Sequence, residues 1–108
     1  MAKELELAIL LDLYEPLLTD KQRDTLDLYY NEDLSLAEIA ETTGTTRQAV
    51  MKCIHNTEHN LRELEEKLKL AEKAGTAEKL LTQLETLTAG SINEEECGKI
   101  IRKIRELL

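Results

Sequence analysis

The stretch Ser35-Leu-Ala-Glu-Ile-Ala-Glu-Thr-Thr-Gly-Thr-Thr-Arg-Gln-Ala-Val50 decides the fold of this chain. Ser35 is followed three residues later by Glu38, a capping box that begins a short helix. Ala40 is small at the position where a second helix must cross closely, and Gly44 suits a tight turn that needs a positive φ. The stretch therefore predicts a helix-turn-helix.

A long fourth helix is predicted after the turn. Thr45 and Gln48 match a further capping box, which predicts that Thr45 caps this helix. Its apolar face continues to about Lys73, where Ala74-Gly75 ends it. Several apolar residues lie seven apart, as in a short coiled-coil seam that Thr57 interrupts. The face consists of Val50, Ile54, Leu61, Leu64, Leu68 and Ala71.

Two helices are predicted before this stretch and two after it. The first runs from about Lys3 to Tyr14 and ends before Pro16, and a Thr19–Gln22 capping box begins the second. The apolar, inward face of the first helix is expected to consist of Leu5, Ile9, Leu10 and Leu13, with Leu17 beyond its end. Of the last two, one spans about Thr76 to Thr88 with Leu80, Leu81, Leu84 and Leu87 inward. The other is capped by Ser91, has Ile100, Ile101, Ile104, Leu107 and Leu108 on its apolar side, and ends at Leu108.

The composition indicates an all-α protein. The 108 residues include 21 Leu, one Pro and four Gly, with no Trp or Phe. We expect a helix-turn-helix bundle of three or four helices with a long recognition helix and two further C-terminal helices. Residues 1–74 would form the helix-turn-helix domain with its extended fourth helix. Residues 75–108 would form a helical hairpin, packed on the first part within one compact unit or used for dimerisation.

The net charge of −8 excludes proteins that coat nucleic acid or anionic lipid through bulk positive charge. Residues 1–34 carry −6, and residues 35–60 and 61–108 carry −1 each. The acidic excess thus precedes the helix-turn-helix and does not prevent DNA binding. It predicts binding that is weak in a monomer and steeply salt-dependent. The cations that could contact phosphate are Lys21, Arg23, Arg47, Lys52 and Arg62.

A helix-turn-helix places the start of its second helix in the major groove. Arg47 could contact guanine and Gln48 adenine, whereas Thr46 and Lys52 suit phosphate. Thr45 would direct backbone amides at a phosphate by capping the helix. The predicted nucleic-acid-binding residues are Thr45, Thr46, Arg47, Gln48, Met51, Lys52 and His55, and the predicted inward residues are Ala49, Val50, Cys53 and Ile54.

Other chemistry receives little support from the sequence. His55-Asn-Thr-Glu-His59 matches a zinc-peptidase pattern, but a peptidase needs a third ligand and a larger chain. Cys53 and Cys97 lack metal-type spacing and are expected to be reduced, partly buried thiols, with a structural disulfide as the alternative. No phosphate loop or catalytic triad is present. We expect a cytoplasmic non-enzyme with no cofactor, no metal site and no membrane span.

The residues from Leu13 to Leu70 resemble the YlxM family. The resemblance rests on Leu17-Leu18-Thr19-Asp20-Lys21-Gln22-Arg23, on Leu26 to Ala40, on Thr46-Arg47-Gln48-Ala49-Val50, on Thr57-Glu58 and on Glu65-Glu66-Lys67-Leu68. These are small bacterial helix-turn-helix proteins similar to region 4 of sigma factors, encoded beside the signal recognition particle GTPase. The resemblance implies a regulator or component of the signal recognition particle pathway.

Three functions follow as hypotheses. The first is a regulatory protein that binds double-stranded DNA, as a homodimer formed through helical contacts. The second is a module that binds the RNA or the GTPase of the signal recognition particle without specific DNA binding. The third is a helical scaffold whose DNA activity has been lost.

Overall fold

A computed structural model describes residues 4–89 and 94–107, and no strand occurs within them. The chain divides into two compact units, Met1–Lys69 and Leu70–Leu108. A short 3-10 turn, Glu15–Leu17, follows the first helix. The helices are α1 (Leu5–Tyr14), α2 (Asp20–Tyr30), α3 (Leu36–Thr43), α4 (Arg47–Leu68), α5 (Leu70–Ala89) and α6 (Glu94–Leu107). The all-α helix-turn-helix fold expected from the sequence is confirmed.

Both predicted capping boxes before the turn form. The Thr19 hydroxyl accepts the amide of Gln22, and the Gln22 side chain accepts the amide of Thr19. Ser35 and Glu38 make the same reciprocal pair at the start of α3. Each pair satisfies two amides that the helix itself cannot, which fixes where α2 and α3 begin.

The turn between α3 and α4 depends on Gly44, which has φ 70° and ψ 28°. The Thr45 amide then donates to the carbonyl of Ala40 at 3.0 Å, closing the end of α3. The cap of α4 is Thr46, whose hydroxyl accepts the amide of Ala49 at 3.1 Å. The prediction that Thr45 caps α4 is therefore wrong by one residue, because Thr45 belongs to the turn. Its hydroxyl is hydrogen-bonded to that of Thr43, 3.0 Å away.

We expect Gly44→Ala to lower the free energy of unfolding by about 1–2 kcal/mol, because a β-carbon disfavours the left-handed conformation. No atom lies within 4 Å of the added carbon, so the cost would be conformational rather than a clash. Gly75 is the control, since it lies inside α5 and also has open space around it. Gly75→Ala should raise helix stability by about 0.5–1 kcal/mol. In thermal unfolding followed by circular dichroism, Gly44→Ala should lower the stability and Gly75→Ala should raise it. Changes in the same direction would contradict this account.

The core of the first unit collects residues from all four of its helices. In α1 the buried residues are Leu7, Leu10, Leu11 and Tyr14. Of the predicted inward set, Leu10 is buried and Leu13 half-buried, but Leu5, Ile9 and Leu17 are 76%, 46% and 62% exposed. That part of the prediction is wrong, because α1 is apolar around most of its circumference and its periodicity fits either face. The other core residues are Thr25, Leu26, Tyr29, Leu36, Ile39, Ala40, Val50, Ile54, Thr57 and Leu61.

Thr57 does not interrupt the apolar seam of α4 but is fully buried within it. Its hydroxyl donates to the carbonyl of Cys53 at 2.7 Å, which satisfies the polar group inside the helix. The predicted continuation to Lys73 is wrong: α4 ends at Leu68, and Lys69 adopts the left-handed conformation with φ 55°. The residue that adopts this conformation at a helix end is usually glycine, so a lysine at position 69 gives no sequence signal for it.

The second unit consists of α5 and α6, which pack against each other. Ile100 is its one buried side chain among the described residues. Leu80, Leu84, Leu87, Ile104 and Leu107 are half-buried, whereas Leu81 and Ile101 are exposed. Gly75 lies inside α5 instead of ending a helix. The predicted Ser91 cap and Leu108 lie outside the described residues.

Cys53 and Cys97 are free, partly buried thiols in the described part of the chain. None of the helices within residues 4–89 and 94–107 has the length and apolar character that a membrane crossing requires.

Candidate nucleic-acid interface

The first turn of α4 presents polar groups to solvent. Gly44 and the Thr46 cap set its direction, and the first amides of any helix have no partner within it. The Thr46 hydroxyl accepts a hydrogen bond from the Ala49 amide. The amides of Arg47 and Gln48 remain at the open end of the helix. With the helix dipole they favour an anion there.

Most of the predicted binding residues are exposed together at this end of the first unit. Val50 and Ile54 are buried, as expected, and hold this surface against the core. Met51 is half-buried. The exposed residues are Thr45, Thr46, Arg47, Gln48, Lys52 and His55.

One expectation about the inner face of α4 needs correction. Ala49 is exposed instead of inward, whereas Cys53 is partly buried, as expected. Both side chains face the junction with α2, where they line shallow cavities beside Lys21. Sequence periodicity placed Ala49 inward because it assumes a wider buried stripe than α4 has at its start.

Two tyrosines attach α4 to the helices before it. The Tyr30 hydroxyl at the end of α2 donates to Glu58, and the Tyr14 hydroxyl of α1 donates to Glu65 at 2.7 Å. Burial, and then the hydrogen bond to Glu58, raises the pKa of Tyr30 above its ordinary value, so Tyr30 keeps its proton. These bonds join α4 to α1 and to α2. Sequence reasoning missed them because the partners are 28 and 51 residues apart.

The structure divides the cations that could contact phosphate into two groups. Arg23 pairs with Asp20 at 2.8 Å and lies 3.7 Å from Asp24 and 3.9 Å from Glu15. Arg62 pairs with Glu4 at 3.0 Å. By contrast, Lys21, Arg47 and Lys52 form no salt bridge within the described residues. Of these five cations, the three without a salt bridge therefore lie at the start of α2 and in the first turns of α4.

The two histidines of α4 give no sign of a metal centre. The Nε2 atom of His59 lies 3.3 Å from the Glu63 carboxylate, an exposed contact one helical turn away. In the part of the chain that the structure describes, no three His, Cys, Asp or Glu residues are grouped to hold a metal ion.

The fold and the exposed polar start of α4 define a helix-turn-helix protein. Residues 1–102 match the family described as "Putative helix-turn-helix protein, YlxM / p13 like". The chain belongs to this family of helix-turn-helix proteins.

Curated relatives extend the similarity across nearly the whole chain. A UPF0122 protein of Shouchella clausii (strain KSM-K16) is 43% identical over 105 residues, which cover 97% of this chain and 96% of the relative. UPF0122 protein YlxM of Bacillus subtilis (strain 168) is 39% identical over 107 residues, covering 99% and 97%. A UPF0122 protein of Clostridium kluyveri is 56% identical over 73 residues, covering 68% and 66%.

Proposed function

We propose that this protein is a regulatory protein that binds duplex DNA, with the start of α4 in the major groove. The observation that carries the proposal is the exposed start of α4, set by Gly44 and Thr46 and backed by buried Val50 and Ile54. A duplex can approach this end of the helix without unfolding any part of the core. Such a role is consistent with the cytoplasmic location expected from the sequence.

Arg47 and Gln48 are the residues proposed to read bases. Both are exposed at the first two positions of α4, where a recognition helix meets base edges. Arg47 would bind guanine through its two parallel N–H groups, and Gln48 would bind adenine. Thr45, Thr46, Met51, Lys52 and His55 complete the proposed surface around them.

We expect Arg47→Ala to weaken binding to the preferred duplex by about 1–3 kcal/mol and to relax discrimination at one base pair. The measurement is fluorescence anisotropy with a duplex selected from random sequence, compared with random DNA at the same salt concentration. Arg62→Ala is the control, because Arg62 lies on α4 but pairs with Glu4. If no selected duplex binds better than random DNA at low salt, the proposed function fails.

We propose a homodimer as the DNA-binding form, formed through helical contacts. Three cations around the proposed surface, Lys21, Arg47 and Lys52, are few for tight binding of DNA, and a dimer doubles them. The half-buried leucines of α5 and α6 are an apolar surface that a second copy could cover. A dimer should protect two half-sites about 34–36 Å apart, or a multiple of that distance. Protection of a single half-site, with a monomer in solution, would contradict this form.

The second candidate is a module that binds the signal recognition particle, implied by the family resemblance. The acidic balance of residues 1–34, at −6, favours a protein partner or an RNA–protein complex over bare nucleic acid. Pull-down with the reconstituted particle tests it. Association with its RNA or GTPase at micromolar concentration, combined with no selective DNA binding, would replace the first proposal by this one.

A further inference from the structure

We propose that the groove between the start of α2 and the first turns of α4 holds the DNA backbone, with Lys21 and Lys52 contacting its phosphates. The inference rests on the proposed function and adds which side of α4 lies against the DNA backbone. The opposite side of α4 would contact no phosphate.

The groove is formed where the start of α2 lies beside the stretch of α4 from Ala49 to Thr57. Lys21 and Lys52 line the same cavity of about 390 Å³, together with Gln22 and Asn56. An adjoining cavity of about 270 Å³ extends from Lys21 to the turn hydroxyl of Thr45. The lining thus combines two ammonium groups with neutral hydrogen-bonding side chains, which is the chemistry that a phosphodiester requires.

Ala49 keeps this groove open. It is exposed and lines both cavities, and a longer side chain on α4 would fill the space beside Lys21. The sequence predicted Ala49 to face the core, and therefore gave it no role in keeping a groove open.

Local charge favours an anion in this groove. Asp24 also lines it, so the groove holds two ammonium groups, those of Lys21 and Lys52, against one carboxylate. Lys21 and Lys52 form no salt bridge within the described residues, so their charges remain available to a ligand.

The other side of α4 differs in charge. There Arg47 borders a cavity of about 460 Å³ whose lining includes the carboxylates of Asp33 and Glu38 and the exposed Ala37. Two acids beside one cation disfavour a second phosphate strand. Arg47 is therefore left to read a base while the lysine groove carries the backbone.

The salt dependence of binding to a random-sequence duplex tests this assignment. Lys21→Gln and Lys52→Gln should each reduce the slope of log K against log salt by about 0.9, and the double variant by about 1.8. Arg23→Gln and Arg62→Gln are matched controls because their guanidinium groups are already paired. All four side chains lie at the surface of the first unit, and unchanged thermal melting would show that each variant folds.

Two alanine variants test the one-sided anchor. Ala49→Glu puts a carboxylate in the lysine groove and should weaken binding by about tenfold or more. Ala37→Glu puts the same group on the acidic side and should weaken binding by less than about threefold. Equal losses for the two variants, or slopes as large in the lysine variants as in the wild type, would overturn the inference.

The outcomes separate this inference from the proposed function. If selective binding and its dependence on Arg47 are found but the lysine slopes are unchanged, the inference alone fails. If the wild type binds neither selected nor random duplex at low salt, the proposed function and the inference fail together.

Discussion

Leu61→Ala is expected to lower the free energy of unfolding of the first unit by about 2–5 kcal/mol. Leu61 is 0% exposed and lies in the half of α4 that runs along α1. Removing its side chain loses the transfer free energy of three carbons and leaves a cavity that the helices can fill only in part. Loss on this scale is a large fraction of the stability of a small domain.

Leu68→Ala is the control for this prediction. Leu68 lies seven residues further along the same helix and belongs to the same predicted seam, yet it is 43% exposed. Its truncation should cost less than about 1 kcal/mol, since it buries less apolar area. Urea unfolding followed by tyrosine fluorescence measures both, because all three tyrosines lie in the first unit. Equal losses of stability for Leu61→Ala and Leu68→Ala would show that the buried seam of α4 extends to Leu68, as the seven-residue spacing suggested.

Tyr14→Ala is expected to destabilise the first unit by about 3–5 kcal/mol, the range for a buried aromatic ring. Tyr14 is fully buried, and its hydroxyl donates to Glu65 at 2.7 Å. Tyr14→Phe should cost about 1–3 kcal/mol, because it keeps the ring but takes a donor from a carboxylate. Urea unfolding followed by circular dichroism provides the measurement.

A double-mutant cycle isolates the hydrogen bond from the packing of the ring. In a Glu65→Ala background the acceptor is absent, so Tyr14→Phe should cost less than it does in the wild type. If the cost is the same in both backgrounds, the Tyr14–Glu65 bond contributes nothing and the ring alone attaches α1 to α4.

Both substitutions should also affect the proposed interface. Leu61 and Glu65, the partner of Tyr14, lie far along α4 from Arg47, but the orientation of α4 depends on its contacts with α1 and α2. A variant that stays folded at low temperature yet binds the selected duplex more weakly would show this positioning effect directly.

Much of the candidate site was predictable because its signals are local. The Ser35–Glu38 capping box and Gly44 at the turn each determine the backbone within a few residues of their own positions. The structure has both where the sequence indicates. Thr45 and Thr46 are adjacent residues of the same type, so capping chemistry alone could not choose between them. The pairing of Arg62 with Glu4 was not predictable, since the two residues are 58 apart, whereas Arg23 meets Asp20 only three residues away.

The sequence by itself determined the number and kind of helices of the first unit, because capping and apolar spacing depend on neighbours along the chain. Only the tertiary structure decided which face of α1 is buried and where α4 ends. It also decided that Thr57 lies inside the core and Ala49 outside it. These outcomes depend on which side chains from distant segments fill the same space, and that choice is made by packing and not by local propensity.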